Sequence, residues 1–216
     1  MPAGFQVAGD LCPECAFEAP PFDRAAAYGA YTNGLRELIH LLKYEEVRPA
    51  AKVLGRMLSE AVDSLELSGD VVVIPVPLHA SKMRQRGFNQ SELIASESLR
   101  HLNRSENSKF ILELAAMKRR KDTPSQVGMT REARAENLRG AFGVTSRAVV
   151  RDKQVLLVDD VLTTGATVSE CTRVLRRAGA KCVWVATVAR AVRVTDTFAL
   201  GNEHSHDVPL AIAAHG

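Results

Sequence analysis

The chain has 216 residues, 46% of them hydrophobic, and a formal net charge of +3, which allows one sizeable core with an appendage but not two full α/β domains. No apolar run is long enough to cross a membrane, the start lacks the features of a signal peptide, and four cysteines do not form a disulfide framework in a chain this long, so we expect a cytoplasmic protein. The mild positive charge agrees with a phosphorylated ligand, and it does not by itself indicate binding to nucleic acid.

Residues 1–27 have no periodicity and are predicted to be irregular, with a Cys-x-x-Cys pair at Cys12 and Cys15. Such a pair supplies half of a tetrahedral zinc site, which needs two further ligands. The next histidine, His40, falls on a predicted helix. We therefore expect zinc to be absent or substoichiometric.

Two helices and a buried strand are predicted next. Apolar residues recur at helical spacing within residues 33–66, and Pro49 suits the first turn of the second helix. The run Val-Val-Val-Ile-Pro-Val at 71–76 predicts a strand buried on both faces.

A basic loop is predicted directly after this strand. Ligands of parallel sheets bind where strands end, and the forked guanidinium group of arginine matches phosphate oxygens. A solvated surface loop is the alternative for this segment taken alone. The candidate pyrophosphate-binding cations are Lys82, Arg84 and Arg86.

A helix around residues 93–102 and a strand from Phe110 to Leu114 come before a long, charged and irregular excursion. Long loops that leave a compact sheet are often lids over an active site, and a basic surface hairpin is the alternative. A short helix is predicted from Thr130 to Leu138. The candidate lid residues are Arg119, Arg120 and Gln126.

The central stretch, residues 154–167, has the sequence Gln-Val-Leu-Leu-Val-Asp-Asp-Val-Leu-Thr-Thr-Gly-Ala-Thr. It predicts a short buried strand that ends at Asp159 and Asp160, then a loop of small residues, then a helix. The loop's backbone N–H groups and the helix N-terminus favour a phosphate monoester. The candidate 5-phosphate-binding residues are Thr163, Thr164, Gly165, Ala166 and Thr167.

The two carboxylates accept hydrogen bonds and cannot donate them, so they suit a pair of vicinal hydroxyls. A phosphate a few ångströms from a cis-diol describes a ribose 5-phosphate. The alternative is a solvated acidic turn followed by a capping box from Thr167 to Glu170. At a strand end both carboxylates should be reachable by solvent, so we expect Asp160→Asn to fold normally. No Gly-Lys-[Ser/Thr] follows, so ATP is not indicated.

Residues 181–189 predict a further buried strand, which completes a βαβ unit. Residues 195–216 have no periodicity and are predicted to be a disordered tail.

The stretch Val-Asp-Asp-Val-Leu-Thr-Thr-Gly-Ala-Thr closely resembles the phosphoribosyl pyrophosphate (PRPP) motif of type I phosphoribosyltransferases. Together with the Cys-x-x-Cys start, Pro-Val-Pro-Leu-His at 75–79, Arg-Gly-Phe-Asn-Gln at 86–90 and Leu-Leu-Lys-Tyr at 41–44, it resembles the ComF family, competence-associated proteins related to amidophosphoribosyltransferases. Family members carry an earlier cysteine pair, which is missing here. Either the start is truncated or the zinc site has been lost.

The resemblance implies an α/β fold with a parallel sheet flanked by helices, a hood over the site, and a vestigial zinc ribbon. The implied division is a partial zinc-ribbon-like segment at 1–27, a phosphoribosyltransferase domain at 28–194 and the tail at 195–216. Asp159 and Asp160 would be catalytic and would bind the ribose hydroxyls. The pyrophosphate loop would include Pro77, Leu78 and His79, and residues 119–126 would lie in the hood.

The implied activity is that of a phosphoribosyltransferase, a glycosyltransferase of the pentosyltransferase class. It would use PRPP with Mg²⁺, which would be bound mainly by PRPP oxygens, and an unidentified nitrogen acceptor. The alternative is a binding module that senses PRPP or a nucleotide and contacts DNA-uptake proteins. Direct DNA binding through the basic hood is a weaker alternative and is not expected at this net charge.

Overall fold

The computed structural model describes residues 19–45, 47–104, 108–122 and 131–191, without the side chains of residues 131, 132, 134 and 135. The main sheet has five parallel strands in the spatial order β1–β7–β6–β2–β3. These strands are β1 Arg24–Ala30, β2 Gly69–Pro75, β3 Ser108–Leu112, β6 Gln154–Leu162 and β7 Cys182–Arg190. A purely parallel sheet is expected from the continuous apolar runs of its central strands.

Helices cover both faces of the sheet. Their bounds are α1 Asn33–Tyr44, α2 Ala50–Asp63, α3 Ala80–Arg86, α4 Gln90–Leu102, α5 Arg131–Leu138, α6 Arg147–Val150 and α7 Ala166–Arg177. One core cluster joins α1, α2 and α4 to strand residues such as Leu156 and Val158. The other joins α7 and α5 to the opposite face, which includes Val155 and Leu157. This alternation along β6 is the period of two that a strand imposes on its side chains.

The chain order reverses between β2 and β6. From β2 the chain crosses through α4 to β3 on one side, and it later returns to β6 and moves through α7 to β7 on the other side. Pro75 pairs with Val158, and the Val76 N–H donates to the Val158 carbonyl at 2.8 Å. In open α/β sheets the crevice at such a reversal, beyond the carboxyl ends of the strands, is where ligands bind.

A two-stranded antiparallel sheet lies apart from the main one. It pairs β4 Met117–Arg119 with β5 Phe142–Val144, and α5 lies between the two strands in sequence. We call residues 117–122 and 131–144 the hood. Phe142 and Leu138 are buried and join the core cluster around α7, so the hood packs against that face of the domain.

The structure differs from several of the sequence predictions. Residues 1–27 are not irregular throughout, because β1 begins at Arg24 and runs across the predicted boundary at residue 28. The strand predicted to end at Leu114 ends at Leu112. The excursion after it is partly regular, since β4 pairs with β5. The two helices of 33–66, the buried strands and the βαβ unit around α7 are confirmed.

Three predictions fall on parts of the chain outside the described residues. They concern the half zinc site at Cys12 and Cys15, the hood residue Gln126, and the tail at 195–216. Within the described ranges, no helix is long and apolar enough to span a bilayer.

Candidate active site

The acidic pair lies inside β6, which continues past it to Leu162, so the prediction that the strand ends at the pair is wrong. Because neighbouring strand residues point to opposite faces, the two carboxylates occupy different environments. Asp160 follows Leu156 and Val158 on the face covered by α1, α2 and α4. Asp159 follows the residues that face α7.

Asp160 is buried, with only 4% of its surface exposed. Its Oδ2 lies 2.5 Å from Nζ of Lys43, in the last turn of α1. Burial alone lowers the pKa of Lys43. The interactions with Asp160, together with the charges of Asp159 and Tyr31, outweigh burial, so the net shift of the lysine pKa is upward. The expectation that solvent reaches both carboxylates is therefore wrong for Asp160.

Asp159 is half-buried and held by two donors. The Ser91 hydroxyl donates to its Oδ1 at 3.1 Å, and the backbone N–H of Asp160 donates to the same oxygen at 2.9 Å. Burial, and secondarily the charge of Asp160, raise the pKa of Asp159 to about 7, against the opposing effects of Lys43 and the two hydrogen bonds. The environment of Asp159 thus favours its protonated form more than water does.

Sequence reasoning missed Lys43 and Ser91 as members of this site. A signal for Lys43 exists, since it stands four residues after buried Ile39 and next to buried Leu42, on the apolar stripe of α1. A lysine on such a stripe needs a partner of opposite charge. Only the fold shows that the partner comes from β6.

The loop after β6 is short, with Thr163 to Gly165 between Leu162 and the first residue of α7. Gly165 is the N-cap and has φ 75°, a left-handed conformation that favours glycine. The Ala166 N–H lies 3.5 Å from Oγ1 of Thr164. Thr167 is within the helix and Glu170 accepts from the Gly140 N–H at 2.9 Å, so the capping-box alternative is wrong.

The basic segment after β2 forms helix α3 and is not a loop as predicted. His79 caps its N-terminus, with Nδ1 accepting from the Ser81 N–H at 3.3 Å. Pro77, Leu78 and His79 are half-buried, and Lys82 and Arg84 are exposed. Arg86 already has internal partners: it donates to Gln90 Oε1 at 2.5 Å, and its guanidinium lies 5.4 Å from the centroid of the Tyr44 ring.

The stretch after α3 connects the basic helix to the acidic pair. Gly87 ends α3 with φ 76°, and Phe88 and Asn89 are buried. The Asn89 side-chain amide donates to the Val76 carbonyl at 3.0 Å, and its oxygen accepts from the Ser91 N–H at 3.0 Å. Ser91, placed by that cap, is the donor to Asp159. The Arg-Gly-Phe-Asn-Gln motif therefore fixes the end of β2, the start of α4 and one carboxylate.

The hood brings Arg119 toward the same region. Its guanidinium lies 5.4 Å from the centroid of the Phe142 ring, and burial lowers its pKa despite the nearby negative charges, which include Asp159. Arg120 is exposed and its side chain lies against Gly143. Asp122 Oδ1 lies 3.4 Å from His79 Nδ1, which joins the hood to the start of α3.

No group of three or more His, Cys, Asp or Glu side chains converges as a metal site among the described residues. The arrangement combines hydroxyl and backbone N–H donors after β6, carboxylate acceptors within β6, and cations on α3 and the hood. This set of groups can bind a ligand that carries phosphates and hydroxyls.

A phosphoribosyl transferase domain model matches residues 90–196. The chain is 31% identical over 185 residues to competence protein F of Haemophilus influenzae, covering 83% of this chain and 78% of that one. It is also 31% identical to the DNA utilization protein YhgH of Escherichia coli strain K12, over 84% of this chain and 78% of the relative.

A solved structure of the allosteric regulatory enzyme of purine biosynthesis is similar at 24% identity and a TM-score of 0.41, over 65% of this chain and 26% of the other. The parallel sheet with its flanking helices and the domain match together identify an α/β phosphoribosyltransferase fold. By its similarity to competence protein F over most of both chains, this protein belongs to the ComF family.

Proposed function

We propose that this protein binds PRPP with Mg²⁺ and transfers its phosphoribosyl group to a nitrogen acceptor, releasing pyrophosphate. One observation carries the proposal. The β2–β6 pairing places the end of β2, from which the chain runs into the basic helix α3, next to the strand that carries the acidic pair and leads into the Thr-Gly loop, at the point where the strand order reverses. Each of these segments has the chemistry of one part of PRPP.

Each part of PRPP has a matching segment in this region. The 5-phosphate would accept from the N–H groups at the start of α7 and from the hydroxyls of Thr163 and Thr164. The ribose hydroxyls would donate to carboxylate oxygens within the acidic pair. The exposed cations Lys82 and Arg84 would meet the pyrophosphate. Arg86 needs its guanidinium for Gln90 and Tyr44, so we expect it to position α3 more than to bind the ligand.

In the reaction, the bond between the anomeric carbon and the pyrophosphate oxygen breaks, and its electron pair leaves with pyrophosphate. The lone pair of the acceptor nitrogen forms the new bond to that carbon, and the nitrogen then loses a proton to solvent. The protein's residues contribute positioning and charge stabilisation, without a covalent nucleophile. Magnesium, when bound, would neutralise part of the phosphate charge, held mainly by oxygens of the ligand.

Calorimetric titration with PRPP, ribose 5-phosphate and pyrophosphate, each with Mg²⁺, tests the binding assignment. Arg84→Ala should weaken PRPP binding about ten- to a hundredfold, because it removes a charge-assisted contact to pyrophosphate oxygens. Ribose 5-phosphate should bind almost as before. Arg100→Ala removes an exposed arginine from α4 and serves as the control. Equal losses for PRPP and ribose 5-phosphate would contradict the placement of α3 at the pyrophosphate.

Pyrophosphate release from PRPP, measured with ammonia and a panel of bases and amines, tests for transfer. Pyrophosphate release that depends on an acceptor supports the proposed transferase activity. Tight binding without release supports the alternative, a PRPP-binding module. The names of the relatives, competence protein F and DNA utilization protein, favour a role in DNA uptake or handling for either outcome. We expect this role to involve protein partners and not direct contact with nucleic acid.

A further inference from the structure

Asp159 and Asp160 are adjacent in sequence, yet the structure treats them differently. Asp160 is buried beneath α1 and has a cation 2.5 Å away in Lys43. The described hydrogen-bond partners of Asp159 are the Ser91 hydroxyl and the Asp160 N–H. Both of these donors are neutral. Asp160 therefore has a fixed counterion, whereas Asp159 is oriented by hydrogen bonds that do not neutralise its charge.

The charged and titratable groups that act on this pair come from several elements. Lys43 belongs to α1, and Tyr31 precedes that helix and acts on the lysine. Arg119 of the hood and Cys171 of α7 both interact with Asp159. Cys171 is a buried thiol whose pKa burial raises, so it stays neutral and adds no charge. Lys43 thus balances Asp160, while Arg119 is the cation on the side of Asp159.

We propose that Lys43 is a positioning residue of the ribose site, which holds Asp160 as a fixed, paired carboxylate so that Asp159 is the carboxylate that accepts from the ribose hydroxyls. This assignment rests on the proposed function. It differs from an arrangement in which Asp159 and Asp160 both accept hydrogen bonds from the ribose hydroxyls. It follows from the 2.5 Å contact, the burial of Asp160, and the opposite faces that consecutive strand residues must occupy.

The role of Lys43 is electrostatic as well as geometric. PRPP carries several negative charges, and two unpaired carboxylates beside it would repel it. With Lys43 in place, the pair presents at most one uncompensated charge. Without Lys43, the buried Asp160 would repel Asp159 more strongly and would compete with it for a proton.

The first test uses the free protein, so it does not depend on the proposed ligand. Aspartate side-chain carboxyls are labelled with ¹³C, the Asp159 signal is assigned by its loss in Asp159→Asn, and it is followed through a pH titration. We expect a midpoint of about 7 in the wild type. The midpoint should rise in Lys43→Met, because the lysine charge lowers the pKa of Asp159, and it should stay near the wild-type value in Lys43→Arg. Lys52→Met, which removes an exposed lysine from α2, is the control.

The second test is calorimetric titration of the same variants with PRPP and Mg²⁺ at about pH 8, where wild-type Asp159 is ionised. Lys43→Met should lose about tenfold or more in affinity, Lys43→Arg should recover most of it, and Lys52→Met should match the wild type. Asp159→Asn should lose more affinity than the double variant Asp160→Asn/Lys43→Met, in which the paired charges are removed together. The reverse order would overturn the assignment of Asp159.

The two tests separate the two proposals. An Asp159 midpoint that is the same in the wild type and Lys43→Met would overturn the positioning role, whatever PRPP does. A shifted midpoint in a protein that does not bind PRPP would overturn the proposed function and support Lys43 as the residue that sets the charge of the pair.

Discussion

Replacing Asp160 by Asn should destabilise the folded protein, contrary to what its position in the sequence suggests. Asn keeps the size of the side chain but removes the charge that compensates Lys43. The lysine ammonium is then left unpaired at the end of α1, with 19% of its side chain exposed. A charge buried without its partner costs more than the pair itself contributes.

The size of the effect follows from burial. Removing one partner of a fully buried ion pair costs about 3–5 kcal/mol. Lys43 is less than fully buried, so its flexible chain lets the ammonium turn toward water, and the Asn oxygen still accepts a hydrogen bond. We therefore expect a loss of about 2–3 kcal/mol. This is a large fraction of the roughly 5–15 kcal/mol that stabilises a typical domain.

Urea unfolding at neutral pH measures this loss. In the double variant Asp160→Asn/Lys43→Met both charges are gone, so it should be more stable than Asp160→Asn alone, with a coupling energy of about 1–3 kcal/mol. Asp152→Asn, at a side chain that is 88% exposed, is the matched control and should lie within about 0.5 kcal/mol of the wild type. If Asp160→Asn unfolds at the same urea concentration as the wild type, the buried pair does not contribute to the fold and the reasoning fails.

Two further predictions concern the pH dependence of stability and the packing of α2. The pKa of Asp159 rises from about 4 in an unfolded chain to about 7 in the fold, so between these pH values the folded state binds more protons than the unfolded state. The contribution of Asp159 to the free energy of unfolding therefore falls as the pH rises from about 4 to about 7. Asp159→Asn lacks this titration, so its free energy of unfolding should rise by up to about 4 kcal/mol relative to that of the wild type between about pH 4 and pH 7. Urea unfolding measures this, and a difference in free energy between the two proteins that stays constant across these pH values would contradict the raised pKa. Gly55→Ala should lower stability by about 1–3 kcal/mol, because its Cβ would lie 2.5 Å from Cβ of Glu97 on α4. Gly34→Ala on α1, where no heavy atom lies within 4 Å of the new Cβ, should be neutral or slightly stabilising. Thermal melts of the two variants compare these effects, and equal melting temperatures would contradict the close approach of α2 and α4.

The main sheet could be predicted from the sequence where its strands are apolar. The runs at 71–76, 155–158 and 185–189 are buried on both faces, and such runs have few other structural explanations. The strand β1 was missed because Arg-Ala-Ala-Ala-Tyr-Gly-Ala has no β-branched residue, and it becomes a strand by pairing with β7. Helix α3 was missed because none of its residues is buried, so it has no apolar stripe.

The site could be predicted only as a set of residue types. The acidic pair, the Thr-Gly loop and the basic segment are candidates because each stands next to a predicted strand end. What the sequence did not show was how the elements meet, since Lys43 and Asp160 are separated by 117 positions between α1 and β6. Contacts across such separations depend on sheet order, and a single sequence does not specify which helix covers which strand.

The stretch that marks the ComF family, Arg86 to Gln90, has polar side chains whose role is structural in this fold. Arginine, asparagine and glutamine beside a candidate phosphate site suggest ligand contacts. In the structure, however, Arg86 binds Gln90, and Asn89 spans from the carbonyl of Val76 to the N–H of Ser91. These bonds set the distance between the end of β2 and the start of α4. Since Ser91 in turn holds Asp159, the family motif orients a carboxylate in a different strand, and its polar side chains are explained by internal contacts before any ligand is considered.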